Sequence, residues 1–287
     1  MFKIIIFLIS ISFLFACNSG NKKNTDVVYS NSELSNFKDY SKKVSHYSKT
    51  VKDVSILFKI VEAPFIKGLT NNPKEYSKYT KSKELLAINI GVYWIDALYL
   101  YSYNKKDSAL ASTNAVINLA KELNIDKVFK EFIEDRYLNN EIIDSFFIKL
   151  DSCFINEKYI LQEDDRMRIY TSMLIGKYVE TQYILFNVIF NYPPMSNDVK
   201  YTMLQDLLVV MGNNMESTDE LISLMNNYKT TDDIGLLHKN MNEFAINYKK
   251  LKSDIKTKKI TPNTFFDNET LKNMYKQITS IHNYITK

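Results

Sequence analysis

The residues best placed to do chemistry are two acids in apolar surroundings. Asp96 lies in AINIGVYWIDALYLYSY, Ala87 to Tyr103, beside the only tryptophan and among four tyrosines. Glu180 lies in IGKYVETQYI, Ile175 to Ile184. A buried carboxylate needs a cation or several hydrogen-bond donors, and without them it keeps its proton. At 100° per residue, Asn89, Tyr93, Asp96, Leu100 and Tyr103 share one stripe of a helix, with Ile88, Val92, Ile95 and Tyr99 on the next. Asn89, Tyr93 and Tyr99 are then donors within one or two turns of Asp96, which makes a structural, hydrogen-bonded acid. Lys177, three residues before Glu180, is its nearest candidate partner. If the two acids instead face each other beside an open space, they form the carboxyl pair that glycoside hydrolysis uses. Asn89, Tyr93, Tyr99 and Tyr178 are then the candidate ligand-binding residues. Gly91 and Gly176 interrupt otherwise strong helices at about 1 kcal/mol each. Close helix approach or a small ligand gap would account for them.

The remaining chemistry is thin. His46, His238 and His282 stand far apart and Cys153 has no histidine near it, so the sequence indicates no metal site and no cofactor. Asp164-Asp165 and Asp232-Asp233 lack the third acid that a diphosphate-binding aspartate motif requires, and the second pair reads as a helix start. No phosphate-binding glycine loop or nucleophile elbow occurs. Tyrosines 93, 99, 101, 103, 178 and 183 could line a groove or fill a core.

The elements that must hold these residues read as helices. Lys83 to Tyr103 is apolar almost all round, as befits a central helix. Asp107 is a candidate N-cap for Ala109 to Leu123, and Asn124 with Asp126 starts a helix to about Leu138. Others span about Glu141 to Phe154, Tyr159 to Tyr192, Asp198 to Met211, Thr218 to Tyr228 and Asp232 to Lys258, with a last one from Asp267. An earlier helix runs from Phe37 to Val61, apolar at alternating spacings of three and four. FIKGLTNNPKEY, after Pro64, is a loop. Only six glycines and five prolines occur, mostly at junctions. The expected fold is all-α, an antiparallel bundle of roughly eight to ten helices in a single domain over 33–287. Gly91-Val-Tyr93 with Asp96, and Gly176-Lys-Tyr178 with Glu180, echo one another and raise the expectation of a duplicated helical unit.

The N-terminus states an address. MFKIIIFLISISFLFAC places Lys3 before an apolar run that is too short to span a bilayer permanently. Its end, Leu14-Phe15-Ala16-Cys17, resembles a bacterial lipobox, which implies removal of residues 1–16 and lipid on Cys17. Residues 17–32 are then a polar tether. Losing Lys3 lowers the formal charge from +4 to +3, too small a balance to imply nucleic acid. Cys153 is left as the one free thiol, so stability must come from the core.

PFIKGLTNNPKEYSKY, AINIGVYWIDALYLY, INLAKELNI and IGKYVETQYI together resemble a family of uncharacterised lipoproteins of Bacteroidota. The resemblance spans about two thirds of the mature chain and is carried by Gly68 to Asn71, Asn89, Gly91 to Tyr93, Asp96, Gly176 and Tyr178 to Glu180. Trp94-Ile95 depart from the smaller residues expected before the acid. The resemblance implies an all-helical fold and an envelope location, and it carries no activity. The expectation is a membrane-anchored, non-enzymatic binding or structural lipoprotein. Its setting is the outer membrane, facing the periplasm or the surface, with an envelope protein or small molecule as partner. The alternative is an envelope glycan or lipid hydrolase using Asp96 and Glu180.

Overall fold

Ser82 opens the central helix by accepting a hydrogen bond from the Leu85 N–H, which satisfies one of the donors a helix start leaves free. In the computed structural model this helix, α1, runs Lys83–Ser102. The structure describes residues 63–80, 82–126, 164–226, 232–257, 259–261 and 263–287, with Lys42 alone before them. The leader, Cys17, the tether, the Phe37 to Val61 helix and Cys153 lie outside the described residues. So does the chain between Asp126 and Asp164.

Among the described residues the fold is all-α. After a 3-10 helix, η1 (Pro73–Tyr79), and α1 come α2 (Lys106–Glu122), α3 (Asp164–Phe190), α4 (Asn197–Asn226), α5 (Asp232–Lys256) and α6 (Glu269–Ile285). α1 packs between α2 and α3, α6 packs on α3 and α5, and α4 packs on α3 and α5. The core that results runs through every one of these helices, from Ile88 and Val92 through Leu185 and Phe186 to Phe244 and Ile278. By length and composition α1 could cross a membrane. Here it is the central helix instead, with Ile90, Val92 and Tyr93 fully enclosed.

α1 and α3 cross where each carries its glycine. A Cβ on Gly91 would collide with the Met173 carbonyl oxygen, and one on Gly176 with that of Ile88. The two contacts are reciprocal, and both are to backbone, which cannot give way. Close approach of the helices is therefore what offsets the helix-weakening cost of the glycines, and no gap for a ligand lies at the crossing.

Three boundaries differ from the sequence expectation. Asp107 is not the cap of α2. It sits in the first turn, where its charge favours the helix dipole, and Lys105 holds the cap position without a side-chain bond. Asn124 ends α2, and a helix resumes at Asp126: the φ of Asn124 is 57°, with Asn124 N–H donating to Lys121 O and Ile125 N–H to Ala120 O. Asn104 ends α1 in the same way, at φ 58°, with Lys105 N–H on Leu100 O. Asparagine serves as the left-handed residue of a Schellman close in both places. Finally, Asp198 to Met211 and Thr218 to Asn226, the described part of the second expected helix, are one helix, α4. Thr218 is not a helix start, because its buried hydroxyl is hydrogen-bonded to the Tyr178 hydroxyl of α3.

Candidate functional site

The stripe of α1 that the helical projection picks out is covered by the preceding segment, residues 63–80, which runs antiparallel along it. Tyr103 Oη donates to Ala63 O at 2.7 Å, and Ile66 N–H donates to Tyr99 Oη at 2.9 Å. Asn71 meets Asp96, and Tyr93 Oη donates to Asn72 O at 2.9 Å. Phe65 stacks on Tyr99 with centroids 5.7 Å apart and tilts against Tyr103 at 5.5 Å. Gly68 turns the segment at φ 80°, the left-handed region that glycine enters freely. Asn72 caps η1 by accepting from Lys74 N–H, with Pro73 at the first helical position.

Beneath this strap the two acids come together. Asn71 donates its backbone N–H and its side-chain Nδ2–H to the same oxygen, Asp96 Oδ2, each at 3.0 Å. The same Nδ2 lies 3.5 Å from Glu180 Oε2. The two carboxyl groups are therefore neighbours about one donor, and the charge of Glu180 is felt at Asp96. Both residues are fully enclosed. Asp96 Oδ1 and Glu180 Oε1 receive no donor among the described residues.

His282 of α6 completes the cluster. Its Nε2 lies 2.9 Å from Glu180 Oε2, but off the N–H direction, so neither ring nitrogen makes a formed hydrogen bond. The ring lies flat on Tyr183, with centroids 3.8 Å apart and planes 3° apart. The end of α6 is fixed in this position by two bonds to its carbonyls. Asn89 Nδ2 donates to Ile285 O at 2.8 Å and Tyr79 Oη to Thr286 O at 3.0 Å, satisfying groups that a helix end leaves open.

Burial dominates the electrostatics. It pushes the Asp96 carboxyl well above the usual carboxylate range, and the charge of Glu180 adds to the push against the two Asn71 donors. Glu180 is pushed up to about 8, again by burial, against the hydrogen bonds from Asp96 and Asn71. His282 is pulled down to about 4 by burial, against the charge of Asp96. At neutral pH the cluster is therefore an acid pair that keeps a proton beside a neutral imidazole, and this proton can reach the oxygens that no other donor reaches. No family model, curated protein or solved structure matches the chain.

The structure rearranges the expected partners. Asp96 and Glu180 do face one another. Asn89, Tyr93 and Tyr99 do not serve Asp96: they hold α6, Asn72 and Ile66 respectively. Tyr178 is core, bonded to Thr218 and edge-on to Phe244. Lys177 is buried with its ammonium 5.2 Å from the Trp94 ring centroid, and the group that lies against Glu180 is the neutral imidazole of His282 instead. Asn71 and His282 are the residues that sequence reasoning missed. Among the described residues, no group of three or more His, Cys, Asp or Glu is disposed to hold a metal ion.

Proposed function

We propose that this protein is a lipid-anchored helical domain of a bacterial envelope, acting by binding or by structural support rather than by catalysis. The anchor rests on Leu14-Phe15-Ala16-Cys17 at the end of a short apolar leader. It would place the bundle at the outer membrane, facing the periplasm or the surface, where it meets an envelope protein or a small ligand.

One observation carries the choice of binding over hydrolysis: both acids are fully enclosed and drawn to the one Asn71 amide beneath the strap. Glycosidases hold their carboxyl groups about 5–9.5 Å apart, so that a sugar bond and a water or nucleophile fit between them. Two fully enclosed carboxyls drawn to a common asparagine donor leave no such space. The hydrolase reading with Asp96 and Glu180 as acid and base remains the alternative, supported by their juxtaposition and by the raised affinity of both for protons.

Two measurements test the proposal. Labelled fatty acid should enter the wild-type protein and not Cys17→Ser, and continued incorporation in the variant overturns the anchor. The lipoprotein solubilised from the envelope should carry a stoichiometric partner or ligand and turn over no envelope glycan or lipid. Turnover that Glu180→Gln abolishes reverses the assignment.

A further inference from the structure

The segment 63–80 is joined to the bundle differently from the helices. α1 and α3 meet through backbone contact at Gly91 and Gly176 and a continuous apolar core. The strap has one short 3-10 helix and is attached through single side-chain bonds and the Phe65, Leu69 and Tyr79 contacts. At its midpoint, polar Asn71 is drawn onto two enclosed acids. Segments held this way open at a lower free energy than the helices they cover.

We propose that residues 63–80 form a strap latched by Asn71 onto the Asp96–Glu180 pair, and that the latch releases when both carboxyl groups become ionised. With one proton on the pair, the acids bond to each other and Asn71 satisfies Asp96 Oδ2. With none, two negative charges lie in contact, and Asn71, a neutral group, cannot offset them. The other titratable groups facing the pair do not help. Tyr93 from α1 and Tyr183 from α3 are neutral and pushed further from ionisation. His282 from α6 is uncharged well before the acids ionise, and the Lys177 ammonium is held over Trp94. The route that relieves the repulsion is to admit water, and the strap is the layer between the acids and solvent. Glu180 loses its proton at about 8, and Asp96, itself held well above the ordinary carboxylate range, must lose its own as well, so release belongs to alkaline conditions above that value. This device does not depend on what the domain binds.

Hydrogen exchange of the full-length protein in detergent, at about pH 6.5 and about pH 9.5 and corrected for the intrinsic rate, tests the latch. Peptides within 63–80 should lose about tenfold or more of their protection at the higher pH, while peptides of α5 keep theirs. Glu180→Gln should hold the strap at both values, because Asp96 alone can ionise and still accept from Asn71. Asn71→Ala should leave the strap weakly protected at both. The proposal is overturned if strap protection is unchanged between the two conditions, if it falls only together with α5, or if it falls equally in Glu180→Gln. Should Glu180→Gln not fold, Asn71→Ala decides, since a pH-dependent loss that persists there removes Asn71 from the mechanism.

Discussion

Asn71 gives Asp96 two hydrogen bonds to a single carboxyl oxygen, one from its backbone and one from its side chain. This makes Asp96 the anchor of the covering segment, across 25 residues of sequence. It also explains how a fully enclosed acid survives in an apolar helix, because one oxygen is doubly satisfied and the other shares the proton of the pair. The same asparagine reaches Glu180. The strap, α1 and α3 therefore meet at one side chain.

Asn71→Ala should destabilise the protein by about 2–3 kcal/mol, since enclosed acceptors lose a donor and gain none. Asn71→Asp should cost more at neutral pH, because it adds a third carboxyl to two that already compete for a proton, and should recover as the pH falls. Urea unfolding of the three proteins at two pH values measures both effects. Equal stability of Asn71→Asp and Asn71→Ala at neutral pH would show that charge at this position is not felt.

Gly91→Ala and Gly176→Ala should each cost about 3 kcal/mol or more, because the added methyl meets a carbonyl oxygen of the facing helix and the helices must separate. Alanine is the better helix former, so an isolated helix would gain from either change. The sign of the effect in the folded protein thus separates close packing from local propensity. A rise in the urea midpoint for either variant would contradict the crossing described here.

Tyr178→Phe should lower stability by about 1 kcal/mol through loss of the bond to Thr218 and leave ligand or partner recovery unchanged. Tyr178 is enclosed against Phe244, so a loss of binding with intact stability would place it back in a site.

The central helix was legible because its apolar surround is a local signal, and its stripe from Asn89 to Tyr103 proved to be the face the strap covers. The partners along that stripe were not legible. Helical spacing shows which residues share a face, but Asn89, Tyr93 and Tyr99 spend their bonds on chain segments that periodicity cannot place opposite them. His282 did leave a trace. It falls four residues after Ile278 and three before Ile285, on the apolar face of α6, so a polar ring was bound for the interior. Nothing in sequence said that Glu180 would be there. The sequence reading broke α4 between Met211 and Thr218, and the tertiary bond from Thr218 to Tyr178 is a contact that local pattern does not show. Asn71 looked like loop punctuation for the same reason: its turn chemistry was visible and its buried acceptors were not.

The pH dependence of stability follows from the opposed shifts of Glu180 and His282. Glu180 binds its proton more tightly in the folded state, at about 8 against an ordinary value of 4.5. Between those values the folded protein holds more protons than the unfolded chain, so stability falls as the pH rises, by about 1.4 kcal/mol per pH unit for each extra proton held. Asp96 acts in the same direction. His282 is shifted down, to about 4 from 6.5. Between those values the unfolded chain holds the extra proton, so this residue makes stability rise with pH. The two contributions oppose each other up to about pH 6.5. Above it His282 is neutral in both states and the acids act alone. Urea midpoints should therefore decline from about pH 6.5 through pH 8, Glu180→Gln should flatten the decline, and His282→Gln should change only the acidic side of the curve. A wild-type profile that is flat or rising between pH 6.5 and 8 would mean that neither carboxyl carries a proton into the folded state.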